Sequence, residues 1–365
     1  MKEFESISEF SQFLSRRELT NIAVQNLDLR NMEEELIHIS FKDCLFLGCD
    51  MSPRLWNYLY KDNYIFSDLS VPFDPYPNSL YNKETLYKGY QHQQPSTYQH
   101  TPDKVMFDHF EKVGRHHANI RESLAQWLHD HSITDALYEF LRNYDEKKVV
   151  AIMGGHSVGR GEAAYIQAAE IAKTLTEEGY LMISGGGPGV MEATHVGAWF
   201  GGRKMKDMYE AIEHLAKAPT YDHPNWLQVG FQVFDKFPET AFQSLGIPTW
   251  HYGHEPPTPF ATHIAKYFHN SHREEGLLAI SKGGIVFAPG SAGTMQEIFQ
   301  DLAQNHYQTF GFASPMVFMN KSYWTLERPL YTAIEYMSLK GALKNLNLGI
   351  YDTNEEIIKH LRSFV

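Results

Sequence analysis

Apolar runs followed by glycine-rich segments recur in the second half of the chain. Residues 149–153, 180–183 and 284–288 are apolar runs of the length expected for buried strands, and each is followed by glycines. A helical pattern comes after each glycine segment; the first covers residues 163–178 and ends before Gly179. Repeated strand, glycine loop and helix units predict an α/β fold with a doubly wound parallel sheet and helices on both faces.

The pattern before residue 146 is different. Apolar and polar residues alternate between residues 27 and 47, which predicts short strands, and helical spacing predicts helix over residues 103–144. Three prolines in residues 70–78 exclude regular structure there. We therefore predict two domains, an N-terminal α+β accessory domain over residues 1–145 and a second domain over residues 146–365. A structural or dimer-forming role is the simplest interpretation of the first domain.

The hydrophobic pattern weakens after residue 202. Residues 205–218 mix acidic and basic side chains and predict a surface helix, and residues 229–233 are consistent with a strand.

Charge and cysteine content restrict the partners and the compartment. A net charge of −12 over 365 residues argues against nucleic acid, which requires a basic face. The sequence contains no apolar run of membrane-spanning length, and Met1–Ser6 lack an apolar signal core, so we expect no membrane association. The two cysteines, Cys44 and Cys49, provide neither a disulfide framework nor a zinc site. We expect a reducing, cytoplasmic location.

The three glycine segments, residues 154–161, 184–192 and 289–297, follow strands of the predicted sheet. Loops after parallel strands lie at the carboxyl edge of the sheet, where ligands bind. Glycines allow close approach of the backbone, and the N-terminus of a following helix favours an anion such as phosphate. None of the segments is a P-loop, because no Gly-Lys-[Ser/Thr] follows. Together they predict a composite anion-binding site.

Charged and metal-ligating residues near these segments have more than one interpretation. Glu297 and Glu192 each lie in the first turn of a predicted helix. A carboxylate at such a position either contacts a ligand or interacts favourably with the helix dipole. Arg273, followed by two glutamates, is also consistent with a solvated helix face. Two pairs of histidines are three residues apart, His251 with His254 and His269 with His272, and histidines at this spacing can bind one metal ion. Such pairs are common, however, and no HExxH is present. We predict no metal.

Residues 184–193 and 289–297 resemble the paired signatures of the LOG (Lonely Guy) family, the nucleoside 5′-monophosphate phosphoribohydrolases. Residues 254–260 and 267–275 resemble the segment before the arginine helix of that family and the helix itself. Tyr323 and Trp324 resemble an aromatic pair after a later strand. The resemblance extends from about residue 148 onward. It does not include the Ser-x-His-Lys segment expected for pyridoxal phosphate, so no cofactor is predicted.

The resemblance implies a Rossmann-like sheet, a homodimer or higher homo-oligomer, and hydrolysis of a nucleoside 5′-monophosphate to a free base and ribose 5-phosphate. It places the catalytic pair on Arg273 and Glu297. The implied substrate contacts are Gly155, Ser157, Gly185, Gly186, Gly187, Gly189, Glu192, Gly290, Ser291, Ala292, Gly293 and Thr294. A nucleotide-binding sensor that lacks catalysis is the alternative, with the N-terminal domain as its output module.

The chain departs from the family pattern at three places. Ser291 stands where the family has a glycine. The backbone of a serine would be strained there if the position required a positive φ. Glu274 stands where the family usually has lysine. Residues 202–250 are longer than the corresponding link of the family, which predicts an insertion.

Overall fold

The computed structural model describes residues 1–114, 119–252 and 255–364. The chain divides into two compact units, which we call the N-terminal unit and the sheet unit. Residues 1–80 and 111–138 form the N-terminal unit, and residues 81–110 together with those from 139 onward form the sheet unit. The boundary predicted after residue 145 differs from this division, because the sheet unit also includes a segment from the first part of the chain.

Short strands and helices alternate in residues 1–80. In chain order they are β1 (Lys2–Phe4), α1 (Ile7–Phe13), β2 (Glu18–Thr20), β3 (Ile22–Gln25), α2 (Glu33–Leu36), β4 (Ser40–Lys42), β5 (Leu45–Leu47), α3 (Pro53–Leu59) and β6 (Tyr64–Phe66), with a 3₁₀ turn at Arg30–Met32.

All pairings within the N-terminal unit are parallel. One sheet has the order β1-β3-β5-β6, and β2 pairs with β4. Ala23 pairs with Leu45 and Leu45 pairs with Tyr64, so partners are about 20 residues apart, a spacing typical of stacked coils. Phe10 and Phe46 are fully buried between these coils. No sequence repeat is evident at this spacing. Of the short strands predicted between residues 27 and 47, the structure has β4 and β5, and residues 30–36 form a 3₁₀ turn and α2 instead.

The remaining elements begin with α4 (Lys83–Leu86), α5 (Pro102–Val113) and α6 (Ile120–Leu141). They continue as β7 (Val149–Met153), α7 (Ala163–Glu177), β8 (Leu181–Ser184), α8 (Val190–Trp199), α9 (Met205–Leu215), α10 (Trp226–Lys236), β9 (Ser244–Gly246), β10 (His263–Ile264), α11 (Asn270–Ile280), β11 (Gly284–Phe287), α12 (Ala292–Tyr307), β12 (Pro315–Met319), α13 (Leu330–Leu339), β13 (Asn347–Tyr351) and α14 (Asn354–Arg362). Pro95–His100 and Glu146–Lys148 are 3₁₀ turns, and Tyr323–Glu327 is a π-helical turn.

The sheet unit contains a doubly wound parallel sheet of the Rossmann-like type, as predicted. Its strand order is β10-β9-β8-β7-β11-β12-β13, and every pairing is parallel. From β7 the chain proceeds outward through β8, β9 and β10. It then returns to the other side of β7 with β11. The strand order therefore reverses between β7 and β11, which is the position where such sheets bind ligands.

The central strands are buried on both faces, which explains their uninterrupted apolar sequences. Every residue of β7 and β11 is buried. Among the helices that cover the sheet, α7 contacts α8 and α14, and α11 contacts α12. Helix α7 ends before Gly179, whose φ of +83° supplies the left-handed residue predicted there.

Two of the helix and strand predictions were wrong. Residues 229–233 lie within α10 and do not form a strand, because Trp226, Val229, Gly230 and Val233 recur at helical spacing and are buried together. The helix predicted over residues 103–144 is two helices, and residues 115–118 between them lie outside the described residues.

The predicted insertion has a mixed structure. It contains α9, where a surface helix was predicted, but it also contains β9, which is a strand of the main sheet. Across residues 1–114, 119–252 and 255–364, none of the helices combines the length and hydrophobicity needed to span a bilayer.

Candidate functional site

A cavity of about 440 Å³ lies at the carboxyl end of the sheet, where the loops after β7, β8, β9 and β11 meet. Of the residues predicted to form the site, the cavity wall contains Gly155, Gly185, Gly187, Arg273, Ser291, Ala292, Gly293, Thr294 and Glu297. Within the described residues, the wall does not include Ser157, Gly186, Gly189, Glu192 or Gly290.

The loops are joined directly at the point where the strand order reverses. The Gly155 N–H donates to the Pro289 carbonyl at 3.0 Å, and the Val190 N–H donates to the Gly155 carbonyl at 3.2 Å. Gly189 has a φ of +68°, and a Cβ there would lie 2.7 Å from the His156 carbonyl oxygen. Glycine at 189 is therefore required for the second loop to approach the first, although it does not contact the cavity.

The third loop presents the N-terminus of α12 to the cavity. Residues 292–294 form its first turn, whose N–H groups have no partner within the helix. Ser291 precedes this turn with a φ of −104°, which any L-residue adopts. The strain considered for a serine at this position is therefore absent.

The predicted aromatic pair fixes the third loop. The Tyr323 hydroxyl donates to the Gly290 carbonyl at 2.6 Å, and Nε1 of the buried Trp324 donates to the Phe287 carbonyl at 3.0 Å. These two bonds hold the end of β11 and the start of the loop in place. Gly290 contributes to the site through this backbone geometry.

Arg273, on α11, reaches the cavity wall beside the second loop. Its Nε donates to the Ile247 carbonyl at 3.1 Å, and its Nη2 lies 3.8 Å from Oε1 of Glu297. A Cβ at Gly185 would overlap the guanidinium, so any larger residue here would displace the Arg273 side chain from its present position. The two residues named above as the catalytic pair therefore lie close together, and each side chain remains 12% exposed.

Burial raises the pKa of Glu297 to about 7. The positive charge of Arg273 opposes this increase, and the negative charge of Glu274 adds to it. Glu297 accepts no hydrogen bond from any residue in the described part of the chain. Its carboxylate is thus positioned in the cavity wall with hydrogen-bonding capacity to spare.

Glu274, where the resembled family has lysine, also lies in the wall. Its Oε1 is 3.8 Å from Nη1 of Arg273, and the side-chain amide of Gln296 donates to its other oxygen. The guanidinium therefore lies between two carboxylates. A glutamate instead of a lysine at this position makes the net charge of the cavity wall more negative by two.

Glu192 does not reach the cavity, contrary to its prediction as a substrate contact. It is fully buried, and Arg160 donates to both of its oxygens, from Nε and from Nη2, each at 2.6 Å. The Tyr165 hydroxyl donates to Oε2 at 2.9 Å. Its alternative interpretation as a structural residue agrees with these contacts. Ser157 is exposed on the first loop, away from the cavity wall.

A buried histidine fixes the second loop from beneath. The Ser184 hydroxyl donates to the Met191 carbonyl at 3.1 Å and accepts from the Gly186 N–H at 3.0 Å. It must therefore also accept from Nε2 of His195, 2.8 Å away, which makes Nδ1 the acceptor for Ser244 at 2.9 Å. Burial lowers the pKa of His195 to about 3, so this ring stays neutral and holds the loop.

The cavity contains polar residues that the sequence patterns did not identify, above all His156, Tyr252 and Glu255. Glu255 Oε1 lies 3.8 Å from His156 Nδ1, and burial raises the pKa of Glu255. Thr258, shortly after it, donates its N–H to the Gly186 carbonyl at 2.8 Å. The sequence did contain one indication that Glu255 belongs to the site, because this charged residue stands directly before two prolines in a segment with no regular structure.

Only one of the two histidine pairs can be described completely. His254 lies outside the described residues, and the rings of His269 and His272 are 6.3 Å apart. In the described ranges, no group of three or more histidine, cysteine, aspartate or glutamate side chains is arranged to hold a metal ion.

No protein-family model matches the chain. No curated protein matches it either. One similar solved structure is the molybdenum cofactor binding protein from the phototrophic bacterium Rippkaea orientalis, at 14% identity over 59% of this chain and 96% of that chain, with a TM-score of 0.36. Another is the structural-genomics target TM1055, at 18% identity over 59% of this chain and 99% of that chain, with a TM-score of 0.35. Likeness at this level says nothing about a ligand.

Proposed function

We propose that this chain hydrolyses the N-glycosidic bond of a nucleoside 5′-monophosphate to a free base and ribose 5-phosphate. The observation that carries the proposal is the pair formed by Arg273 and Glu297. The two side chains lie 3.8 Å apart in a cavity wall, beside the N-terminus of α12.

The phosphate would bind where the loops after β7 and β11 meet. There residues 292–294, whose N–H groups have no partner within the helix, line the cavity, and the dipole of α12 favours a negative charge. Ser291 and Thr294 add hydroxyl groups to the same wall. Ser291 has a φ of −104°, and residues 290–294 include no residue with a positive φ.

The ribose would lie next to Glu297, which is one turn further along α12 than the phosphate-binding N–H groups. When the C1′–N bond breaks, its electron pair leaves with the base and C1′ gains oxocarbenium character. The ionised Glu297 carboxylate stabilises this positive charge and accepts a proton from the water that attacks C1′. That proton then passes to the nitrogen of the departing base, so that the base leaves neutral and Glu297 is ionised again. Arg273 holds the carboxylate and the substrate in position, a role that its bidentate geometry suits.

The resemblance also implies a homodimer or higher homo-oligomer, and the two free thiols, Cys44 and Cys49, are consistent with a cytoplasmic location. Light scattering of the purified protein over a range of concentrations would measure the oligomeric state.

The test of the proposed function is base release from AMP, GMP, IMP, CMP and UMP, followed by chromatography, with Glu297→Gln as the matched variant. The wild type should release base, and Glu297→Gln should be slower by roughly 10³-fold, because its amide carries no charge and cannot accept the proton. Thermal unfolding of the variant checks that it is folded.

Two outcomes would contradict the proposal. Release by Glu297→Gln at the wild-type rate would remove the carboxylate from the chemistry. Tight binding of nucleotides by the wild type, with no release from any of them, would indicate the nucleotide-binding sensor instead.

A further inference from the structure

The cavity extends well beyond the groups assigned to phosphate and ribose. Its wall is contributed by the loops after β11, β7, β8 and β9, which are consecutive in the sheet. Neighbouring strands are about 4.8 Å apart, so three intervals span about 14 Å. With the phosphate at the β11 end and Glu297 next to it, the base of a nucleotide would extend toward the loop after β9.

That far end of the cavity has its own set of side chains. They come from the segment after β9 and from the second loop, and they are Met191, Pro248, Thr249, Tyr252 and Glu255. Apolar and aromatic groups of this kind pack against the faces of a flat ring, and a single ionisable group can recognise its edge.

Glu255 is the one carboxylate among these five side chains. Its Oε2 faces Gly187, where a Cβ would be 3.4 Å away and where the glycine leaves the carboxylate uncovered. Its Oε1 lies 3.8 Å from Nδ1 of His156, which is beyond hydrogen-bonding distance. It accepts no hydrogen bond from the described residues. An ionised carboxylate is an acceptor only, so it lacks donors that a ligand can supply.

We propose that Glu255 determines base specificity, and that it selects a base whose edge presents two adjacent N–H donors, which is the edge of guanine. The inference rests on the proposed function for the placement of the phosphate. Guanine offers N1–H and the 2-amino group to the two carboxylate oxygens. Hypoxanthine offers only N1–H. Adenine places an acceptor, N1, beside its amino group and would bring that acceptor against the carboxylate.

Binding measured without turnover tests the proposal separately from hydrolysis. In the Glu297→Gln background, calorimetry gives the dissociation constants of GMP, IMP and AMP. GMP should bind roughly 10- to 100-fold more tightly than AMP, as expected for a bidentate pair, with IMP in between.

Glu255→Gln, added to that background, distinguishes recognition from a structural role. The amide replaces one of the two acceptors with a donor, so it complements the N1 and amino edge of adenine and can no longer accept from both N–H groups of guanine. GMP should weaken while AMP strengthens, so that the preference falls to within about twofold or reverses. A structural role would weaken all three nucleotides together. Glu255→Ala, which should weaken GMP without strengthening AMP, and thermal unfolding of both variants check for misfolding.

Glu274→Gln, in the same background, is the matched control. It also removes a negative charge from the cavity wall, but from the side next to Arg273. It should change the three dissociation constants by a common factor, because it does not face the base. A GMP preference that survives Glu255→Gln, or that Glu274→Gln abolishes equally, would overturn the assignment of Glu255.

The failure of this inference is distinguishable from the failure of the proposed function. Base release by the wild type with equal binding of GMP and AMP overturns only the inference about Glu255. A GMP preference that Glu255→Gln abolishes, in a wild type that releases no base, upholds the inference and overturns hydrolysis. Absence of binding by any of the three nucleotides overturns the inference.

Discussion

The sheet unit contains two arginine–glutamate pairs that use the same chemical groups in opposite ways. Arg160 and Glu192 are almost completely buried and joined by two bonds of 2.6 Å, and the arginine also contacts the Trp226 ring. Arg273 and Glu297 approach only to 3.8 Å and remain partly exposed to the cavity. The first pair has used its hydrogen-bonding capacity in folding. The second retains capacity that a ligand can use.

The contrast shows that burial of a carboxylate indicates a function only when the hydrogen-bond donors around that carboxylate are also considered. In the first pair, which we call the closed pair, Glu192 accepts two hydrogen bonds from Arg160, and it accepts a third from Tyr165. Glu297 is buried without such donors, and this is what raises its pKa to about 7.

The largest expected effect separates the two pairs by stability. Glu192→Gln leaves Arg160 buried without its counter-charge and should lower the free energy of unfolding by about 3–5 kcal/mol. Urea denaturation at pH 7.5 measures this change. Glu297→Gln serves as the control and should not lower the stability. A loss below about 1 kcal/mol for Glu192→Gln would mean that the closed pair is no more important for folding than an exposed one.

A somewhat smaller effect concerns the pH dependence of stability. The pKa of Glu297 is raised from 4.5 to about 7 on folding, so the folded state holds a proton that the unfolded state releases. Stability is therefore lost as pH rises from about 4.5 through 7. Glu297→Gln should match the wild type at pH 4 and exceed it by up to about 3 kcal/mol at pH 8. Parallel stability curves for the two proteins would show that Glu297 titrates normally.

The smallest effect is on the rate of base release. If the ionised carboxylate acts, kcat/KM should increase about tenfold between pH 6 and pH 8, because the pKa of about 7 lies between them. The phosphate of the substrate also titrates near pH 6, but it does so equally with both enzymes. The residual rate of Glu297→Gln should therefore lack the part of the profile centred near 7. A profile that falls with pH would assign Glu297 as the acid.

Strands of the sheet could be predicted accurately from sequence because burial on both faces leaves a simple signature. Residues 149–153 were predicted as a strand and form β7, and the helix predicted after them differs from α7 by one residue. The error at residues 229–233 arose in a short apolar segment, where helical and strand periodicities cannot be separated. The coils of the N-terminal unit were missed because their repeat lies in strand pairing and not in residue identity.

The parts of the candidate site that consist of consecutive residues in one loop could be predicted from the sequence. The segments around residues 185–187 and 291–297 could be proposed from glycines and the helix that follows. Glu255 could not, because its role depends on a segment with no regular structure crossing above the second loop. Glu192 was placed in the site because its position in a first helical turn resembles that of Glu297. Only tertiary structure reveals that Arg160 covers it.

The contacts of Arg160 have a consequence for how this chain can change over evolution or by engineering. Besides its two bonds to Glu192, Arg160 donates from Nη1 to the carbonyl of Ala218, which follows α9, and to that of Trp226, the first residue of α10. The helical excursion formed by α9 and α10 and the central helix α8 thus share one cation. Deleting the excursion would strip that cation of two acceptors and its aromatic cover. We therefore expect shorter relatives of this fold to have replaced positions 160 and 192 jointly, as a linked substitution.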